Sequence, residues 1–294
     1  VERVAAEALH ARAKSPYFGG NPLSAIPQDI LKPEHALFQD RYGYVQYLYA
    51  DKLSELAGKH GLHLYLKALP GCCVGPSVPL CYANRVIPPE AEPSLRAAFI
   101  IGDQRSFEQD PLFGICVLAE IAVRALSQAI NDPGTVIDVI GRLERTLPLF
   151  AGIQETSPWR HAAEIRHRQS EQRKKEHETG RPEKRKGRLA LGVSPLIRGG
   201  GAKNGGKKKR TAKEDGLLVR FPNLWVPGLK TGDLFEDAFS AITRDGAGLY
   251  EIQTRLQKAL GSLYSIEDHT FKESALKYAK IALERAALKL DRPE

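Results

Sequence analysis

Three short polar segments hold the side chains that are best suited to bind a ligand. They are GDQRSFEQDP (102–111), AINDPGT (129–135) and TRDGAG (243–248). In each segment, charged or amide side chains lie beside a predicted helix end, where backbone amides and guanidinium groups can bind an anion together. In this hypothesis the arginines hold the anion, and the carboxylates and the asparagine orient it. The candidate ligand-binding residues are Asp103, Arg105, Asp110, Asn131, Asp132, Arg244 and Asp245.

The same residues also have a purely structural interpretation. Asp132 before Pro133 is a favourable helix start, because aspartate accepts hydrogen bonds from the first amides and proline fits the first helical position. Asn131 either ends the preceding helix in a left-handed conformation or is free for a ligand. The other charged residues could be helix caps and surface ion pairs, which contribute little stability each. The sequence leaves both interpretations open.

Catalytic and metal-binding signatures are missing from the sequence. It contains no nucleophile elbow, phosphate-binding loop or zinc-protease motif. The spacing of the four cysteines does not match a zinc site, and we predict neither a metal nor another cofactor. An enzyme that uses the clustered carboxylates as general acid and base, with or without a divalent ion, remains the alternative function. The cysteines are Cys72, Cys73, Cys81 and Cys116.

The formal net charge of +8 arises from one segment. Residues 160–213 hold 18 lysines and arginines but only five acidic residues, together with runs of glycine. This composition predicts disorder over 155–216. A basic linker could contact nucleic acid or anionic lipids nonspecifically by counterion release. It lacks interleaved aromatic residues, which argues against specific nucleic-acid recognition by base stacking.

The hydrophobic pattern divides the chain into five parts and predicts an α+β fold. Alternating strands and one capped helix occupy 42–102. From Asp110 an apolar stripe at helical spacing runs through Ala119 and Ala122 to Ile130, and similar stripes predict helices at 1–13, 135–147, 234–242, 248–263 and 269–290. The predicted parts are a helix and connection at 1–41, a small α/β module at 42–102, the first half of a helical domain at 103–154, the basic linker at 155–216 and the second helical half at 217–294. We expect the two helical halves to pack together, because each helix has one apolar face.

Several long motifs resemble a known family. The segments YGYVQYLYADKLSELA (42–57), IGDQRSFEQDPLFGICVLAEIAVRALSQAINDPGTVIDVIGRL (101–143) and DLFEDAFSAITRDGAGLYEIQTRLQKAL (233–260) are similar to the bacterial predicted membrane proteins that share domain of unknown function 2254. That family usually has Asp-Phe in place of Cys72-Cys73 and an arginine in place of Leu112. The segment PGCCVGPSVPL (70–80) is similar to the turn of hammerhead barrels that carry biotin or lipoate, although no lysine lies at a matching hairpin tip.

The resemblance implies that transmembrane helices precede Val1, which agrees with a chain that contains no methionine. It implies attachment to the bacterial inner membrane, and the free thiols and basic residues favour the cytoplasmic side. The expected architecture is a small, barrel-like β module followed by a mainly helical domain. The expected function is ligand binding, gating or scaffolding at the membrane, with a small anion as the ligand and a second copy of the chain as a further candidate partner.

Overall fold

The computed structural model describes residues 1–151 and 219–290. The predicted disordered linker at 155–216 lies outside these ranges. The described residues form a mixed α+β fold, which confirms the predicted class. The helices are α1 (Glu2–Lys14), α2 (Ala50–Lys59), α3 (Glu92–Arg96), α4 (Pro111–Ala125), α5 (Pro133–Thr146), α6 (Thr231–Asp245), α7 (Tyr250–Tyr264) and α8 (His269–Leu290).

The strands form two sheets. A five-stranded sheet has the order β1-β8-β4-β6-β2, in which β8 is parallel to both β1 and β4 and the other pairs are antiparallel. A three-stranded antiparallel sheet has the order β5-β3-β7. The strands are β1 (Asn21–Leu23), β2 (Ala36–Phe38), β3 (Gly43–Leu48), β4 (Leu64–Leu66), β5 (Cys73–Val74), β6 (Pro79–Ala83), β7 (Phe99–Gly102) and β8 (Leu224–Pro227).

The larger sheet joins distant parts of the sequence. Leu64 of β4 lies opposite Leu224 of β8, so a strand from beyond residue 219 is placed in the middle of the sheet. Strands β1 and β2 also come from outside the range 42–102. Both sheets contribute to one apolar core, which includes Val45, Leu64 and Leu224 and is closed by Leu53 of α2.

A second apolar core is made by α1 and α4–α8. Helix α4 contacts α1, α5 and α6, and its buried residues form one broad face. This burial explains why the buried positions include Ile115 and Leu118 as well as the predicted stripe through Ala119 and Ala122. The apolar stripe was predicted to extend to Ile130, but α4 ends at Ala125 and Ile130 is 59% exposed.

Helix α1 packs closely against α4. A Cβ atom added at Gly114 would lie 2.5 Å from the Cβ of Ala5, so the missing side chain allows the two backbones to approach. This approach fixes α1 over the helical core and places its last turn beside the first turn of α4. Within the described ranges, none of the helices combines the length and the apolar character that are needed to cross a membrane.

Candidate anion-binding site

A cavity of about 250 Å³ lies at the end of α1, where both cores meet. Its wall includes the last turn of α1, the turn that follows β4, the first turn of α4 and the connection from β8 to α6. We call it the Arg12 cavity. The polar residues that line it include Arg12, Lys67, Cys72, Asp110, Lys230 and Asp233.

Arg12 is the most unusual residue in this wall. It is only 7% exposed, and its Nε and Nη1 atoms are buried without a hydrogen-bond partner. Its Nη2 donates to the carbonyl oxygen of Pro227 at 3.4 Å, which is long for a hydrogen bond. The guanidinium carbon lies 4.2 Å from the centre of the Phe18 ring. Within the described residues, no carboxylate forms a salt bridge with Arg12.

The burial of Arg12 leaves a positive charge that nothing in the wall neutralises directly. Burial lowers the pKa of the guanidinium to about 10, while Tyr17, Asp110 and Cys72 act in the opposite direction. Arg12 therefore remains protonated at neutral pH. An unpaired buried charge is strongly unfavourable, and an anion in the cavity would relieve this penalty.

Further donors surround the cavity. The side chains of Lys67 and Lys230 contribute to the wall from exposed positions. Helix α6 begins directly after Lys230, and no side-chain hydrogen bond caps its first turn. The first amides of an uncapped helix can bind an anion, and the helix dipole favours negative charge there. The wall thus combines a buried guanidinium, two ammonium groups and a helix N-terminus.

The carboxylate of Asp110 is already engaged by other groups. It is 2% exposed, and its Oδ1 accepts hydrogen bonds from the amides of Leu112 and Phe113 at 3.1 and 3.2 Å. Its Oδ2 accepts from Nε of Arg105 at 2.7 Å. Because Arg105 and the first amides of α4 already engage this carboxylate, Asp110 offsets the charge of Arg12 only in part and forms no salt bridge with it.

The structure brings Arg105 and Asp110 together, but it gives Arg105 a different task from the predicted one. Arg105 is not part of the cavity wall. Its guanidinium carbon lies 5.0 Å from the centre of the Phe113 ring, and its Nη1 donates to Sγ of Cys116 at 3.5 Å. The side chain of Arg105 therefore stabilises the first turn of α4 from a position outside the cavity wall. Asp103, at the end of β7, is exposed and lies outside the wall.

Asn131 and Asp132 lie at the other end of α4. The amide of Asp132 donates to the carbonyl of Ala125, the last residue of that helix. Asp132 caps α5 by accepting from the amide of Thr135 at 3.1 Å. Asn131 has a φ of 45°, the left-handed conformation that was one of its two predicted roles. A helix of this length spans roughly 22 Å, so this pair lies far from Asp110.

Arg244 and Asp245 form a pair with each other near the end of α6. Nε of Arg244 donates to Oδ1 of Asp245 at 2.6 Å, and both residues are exposed. Neither side chain belongs to the wall of the Arg12 cavity. Among the predicted site residues, Asp110 is the member that lines the cavity, so the three polar segments do not meet in that space.

The residues that the sequence analysis missed are Arg12, Lys67 and Lys230. A signal for Arg12 was present, since it follows Ala5, Ala8 and Leu9 at helical spacing and so lies on the buried stripe of α1. A charged residue on the buried, otherwise apolar face of a helix is a candidate for a ligand-binding residue. Lys67 and Lys230 had no comparable signal, because their positions depend on the tertiary structure.

A metal site is not evident in the part of the chain that the structure describes. Across residues 1–151 and 219–290, no group of three or more histidine, cysteine or acidic side chains is arranged to hold a metal ion. Near Arg105, two side chains of these types, Cys116 and Asp237, interact with each other. Burial raises the pKa of both, that of Cys116 to about 11, so this thiol is protonated at neutral pH.

Comparisons with known proteins identify relatives. The chain is 34% identical over 136 residues to an uncharacterized protein of Mycobacterium bovis and, with the same values, to one of Mycobacterium tuberculosis; the match covers 44% of this chain and 24% of each relative. A further uncharacterized protein of M. tuberculosis is 43% identical over 51 residues, which cover 17% of this chain and 10% of the relative.

The matched part of the chain spans about a quarter of the length of the first two relatives. No solved structure matches the chain significantly. Residues 1–174 match the sequence profile of the predicted membrane proteins called DUF2254. This match covers more than half of the sequence and includes α1, α4 and α5. The chain therefore belongs to the DUF2254 family of predicted membrane proteins.

Proposed function

We propose that this chain is a ligand-binding part of a bacterial inner-membrane protein and that it binds a small anion in the Arg12 cavity. The observation that carries the proposal is the buried guanidinium of Arg12, which lines the cavity and lacks a carboxylate partner among the described residues. The family description supports the membrane association. The four free cysteines favour a reducing compartment and hence the cytoplasmic side.

The balance of charge around the cavity supports an anion over a cation. Arg12, Lys67 and Lys230 oppose the carboxylates of Asp110 and Asp233. The carboxylate of Asp110 is paired with Arg105, and the uncapped start of α6 adds partial positive charge. The volume of about 250 Å³ lies below the usual range for drug-sized ligands. A compact anion such as a phosphate or a small carboxylate fits this space best.

Ligand binding in the cavity would also couple several elements. Arg12 is the part of the wall that α1 supplies, while Lys230 precedes α6 and Lys67 follows β4. An anion that contacts all three would stabilise α1 against both cores, because it binds the assembled wall and not its separate parts. This coupling supports a gating or scaffolding role for the occupied site.

Thermal unfolding of the full chain in inorganic phosphate, compared with chloride at equal ionic strength, tests the proposal. Phosphate at 100 times its Kd should raise the free energy of unfolding by about 2.7 kcal/mol. Arg12→Met should abolish this increase. Without phosphate, the same variant should be as stable as the parent or more stable, because a buried unpaired charge is replaced by an apolar side chain of similar length.

Arg3→Met is the matched control. Arg3 lies on the same helix, but its side chain is 80% exposed and pairs with Glu7. This variant should retain the full response to phosphate. An equal midpoint of unfolding in phosphate and chloride would contradict the proposal. An undiminished response in Arg12→Met would also contradict it, since the anion would then bind elsewhere, for example at the basic residues 160–213.

A further inference from the structure

Cys72 lies in the wall of the Arg12 cavity, whereas its neighbour Cys73 does not. Both side chains are exposed, and both cysteines are free. We infer that Cys72 is a modification site for small anionic disulfides, whose carboxylates bind in the Arg12 cavity while one sulfur reacts with the Cys72 thiolate. The inference rests on the proposed anion binding and adds a covalent step to it.

The turn that carries Cys72 is well fixed. The amide of Cys72 donates to the carbonyl of Leu69 at 2.9 Å, and its own carbonyl accepts from the amide of Val45 at 2.9 Å. Gly71 has a φ of 97°, which a residue with a side chain rarely adopts. The amide of Leu69 donates to Sγ of Cys72 at 3.5 Å. The backbone therefore holds the thiol beside the cavity.

The positive charge of Arg12 favours the reaction in two ways. It attracts an anionic reagent into the cavity, and it interacts favourably with the thiolate of Cys72. Positively charged clefts can raise association rates of anions by 10-fold or more. The exposed ammonium groups of Lys67 and Lys230 extend this field to the mouth of the cavity.

The proposed reaction is a thiol–disulfide exchange. The Cys72 thiolate attacks one sulfur of the small disulfide, a new S–S bond forms, and the original S–S bond breaks. The leaving thiolate takes a proton from water. Cys72 is thereby oxidised to a mixed disulfide, and the released half of the reagent is reduced to a thiol. The bound half carries its carboxylate into the cavity and would exclude a free anion.

The other two cysteines should not compete. Cys81 is fully buried, and burial raises the pKa of its thiol to about 12. Cys116 is partly buried, and burial and the charge of Asp237 raise the pKa of its thiol to about 11. Since the thiolate is the reacting species, these residues react slowly at neutral pH. Cys73 is then the natural comparison, because it is exposed but lies outside the wall.

Rates of reaction with two disulfides test the inference on the full chain. Dithiobis(nitrobenzoate) carries two carboxylates, and dithiodipyridine is uncharged at neutral pH. For each cysteine, the rate of reaction with the anionic disulfide is divided by the rate with the neutral one. Cys72 is measured in the Cys73→Ser variant, and Cys73 is measured in the Cys72→Ser variant. We expect this ratio to be about 10-fold higher for Cys72 than for Cys73. Adding Arg12→Met to Cys73→Ser should remove this difference. Lys67→Ala, at an exposed rim position, should reduce it in part.

Equal ratios for the two cysteines, or a Cys72 ratio that Arg12→Met and Lys67→Ala leave unchanged, would overturn the inference. The effect of phosphate on thermal unfolding tests the proposed function separately, so a failure of the inference can be told apart from a failure of anion binding. A response that depends on Arg12, combined with equal ratios, would retain anion binding and reject Cys72 as its covalent site. A Cys72 ratio that depends on Arg12, without a phosphate response, would support the modification site and reject phosphate-type binding.

Discussion

The starts of α4 and α5 share one local sequence but lie in opposite environments. Each helix begins with proline at its first position and aspartate as its N-cap, namely Asp110-Pro111 and Asp132-Pro133. The carboxylate of Asp110 is 2% exposed and pairs with Arg105, whereas the exposed carboxylate of Asp132 accepts hydrogen bonds from Gly134 and Thr135 in its own first turn. A cap motif therefore predicts where a helix begins, but not whether its carboxylate contributes to a site.

The difference arises from the chain segments that surround each cap. The turn at Gly71 approaches Asp110 so closely that an added Cβ would lie 2.5 Å from Oδ2. The last turn of α1 brings Arg12 into the same cavity wall. No corresponding segment covers Asp132 in the described structure, where this residue lies on an exposed connection between two helices. Substitutions at four positions, each compared with a second variant, test this contrast between the two helix starts.

The largest effect should follow Asp110→Ala. It removes the acceptor for two amides of α4 and leaves the partly buried Arg105 without its partner. We expect a loss of about 3 kcal/mol or more in the free energy of unfolding, measured by urea denaturation. Asp110→Asn keeps a capping oxygen but not the charge, so it should lose less. If both variants unfold at the parent's urea midpoint, Asp110 does not have the role that its burial indicates.

Gly71→Ala should give the next largest effect. The φ of 97° disfavours a side chain, and the added methyl group would collide with the Asp110 carboxylate. We expect a loss of more than about 1 kcal/mol in the free energy of unfolding. Gly261→Ala is the control, because Gly261 lies within α7 and a Cβ there meets nothing within 4 Å. This control should be stabilised by roughly 0.5–1 kcal/mol; a similar loss in both variants would argue against a close approach at Gly71.

Substitutions of Asn131 test the exposed connection between α4 and α5. With a φ of 45°, Asn131→Ala should lose about 1 kcal/mol, because alanine is less stable than asparagine in the left-handed conformation. Asn131→Gly should match the parent or exceed it, since glycine adopts this conformation readily. Thermal denaturation of both variants distinguishes conformation from side-chain bonding. A loss in Asn131→Gly as large as in Asn131→Ala would show that the amide side chain itself is needed.

Local signals in the sequence account for much of the fold. The Asp-Pro pairs predict both helix starts, and the apolar stripes predict α1 and α4–α8 with small errors at their ends. The sequence could not predict that β8 enters the sheet between β1 and β4, because pairing between residues 64 and 224 leaves no local pattern. The Arg12 cavity depends on the same long-range assembly. Its one local signal is an arginine on the buried stripe of α1, while the exposed cations at 67 and 230 become neighbours only after folding.

The smallest effect should be the pH-dependent contribution of Asp132. Hydrogen bonds from the Thr135 side chain and then from the Thr135 amide lower the pKa of this carboxyl below its ordinary value of 3.8. A folded-state pKa below the unfolded value stabilises the protein above the ordinary pKa, and this contribution is lost as the pH falls through the folded pKa. The urea midpoint of Asp132→Ala should therefore lie below that of the parent at neutral pH and approach it as the pH falls through the folded-state pKa, which lies below 3.8. Asp103→Ala, which removes another exposed carboxylate, should match the parent at neutral pH. A gap between Asp132→Ala and the parent that stays constant over this fall in pH would mean that the charge of Asp132 does not contribute, and that the exposed cap acts through its neutral hydrogen bonds alone.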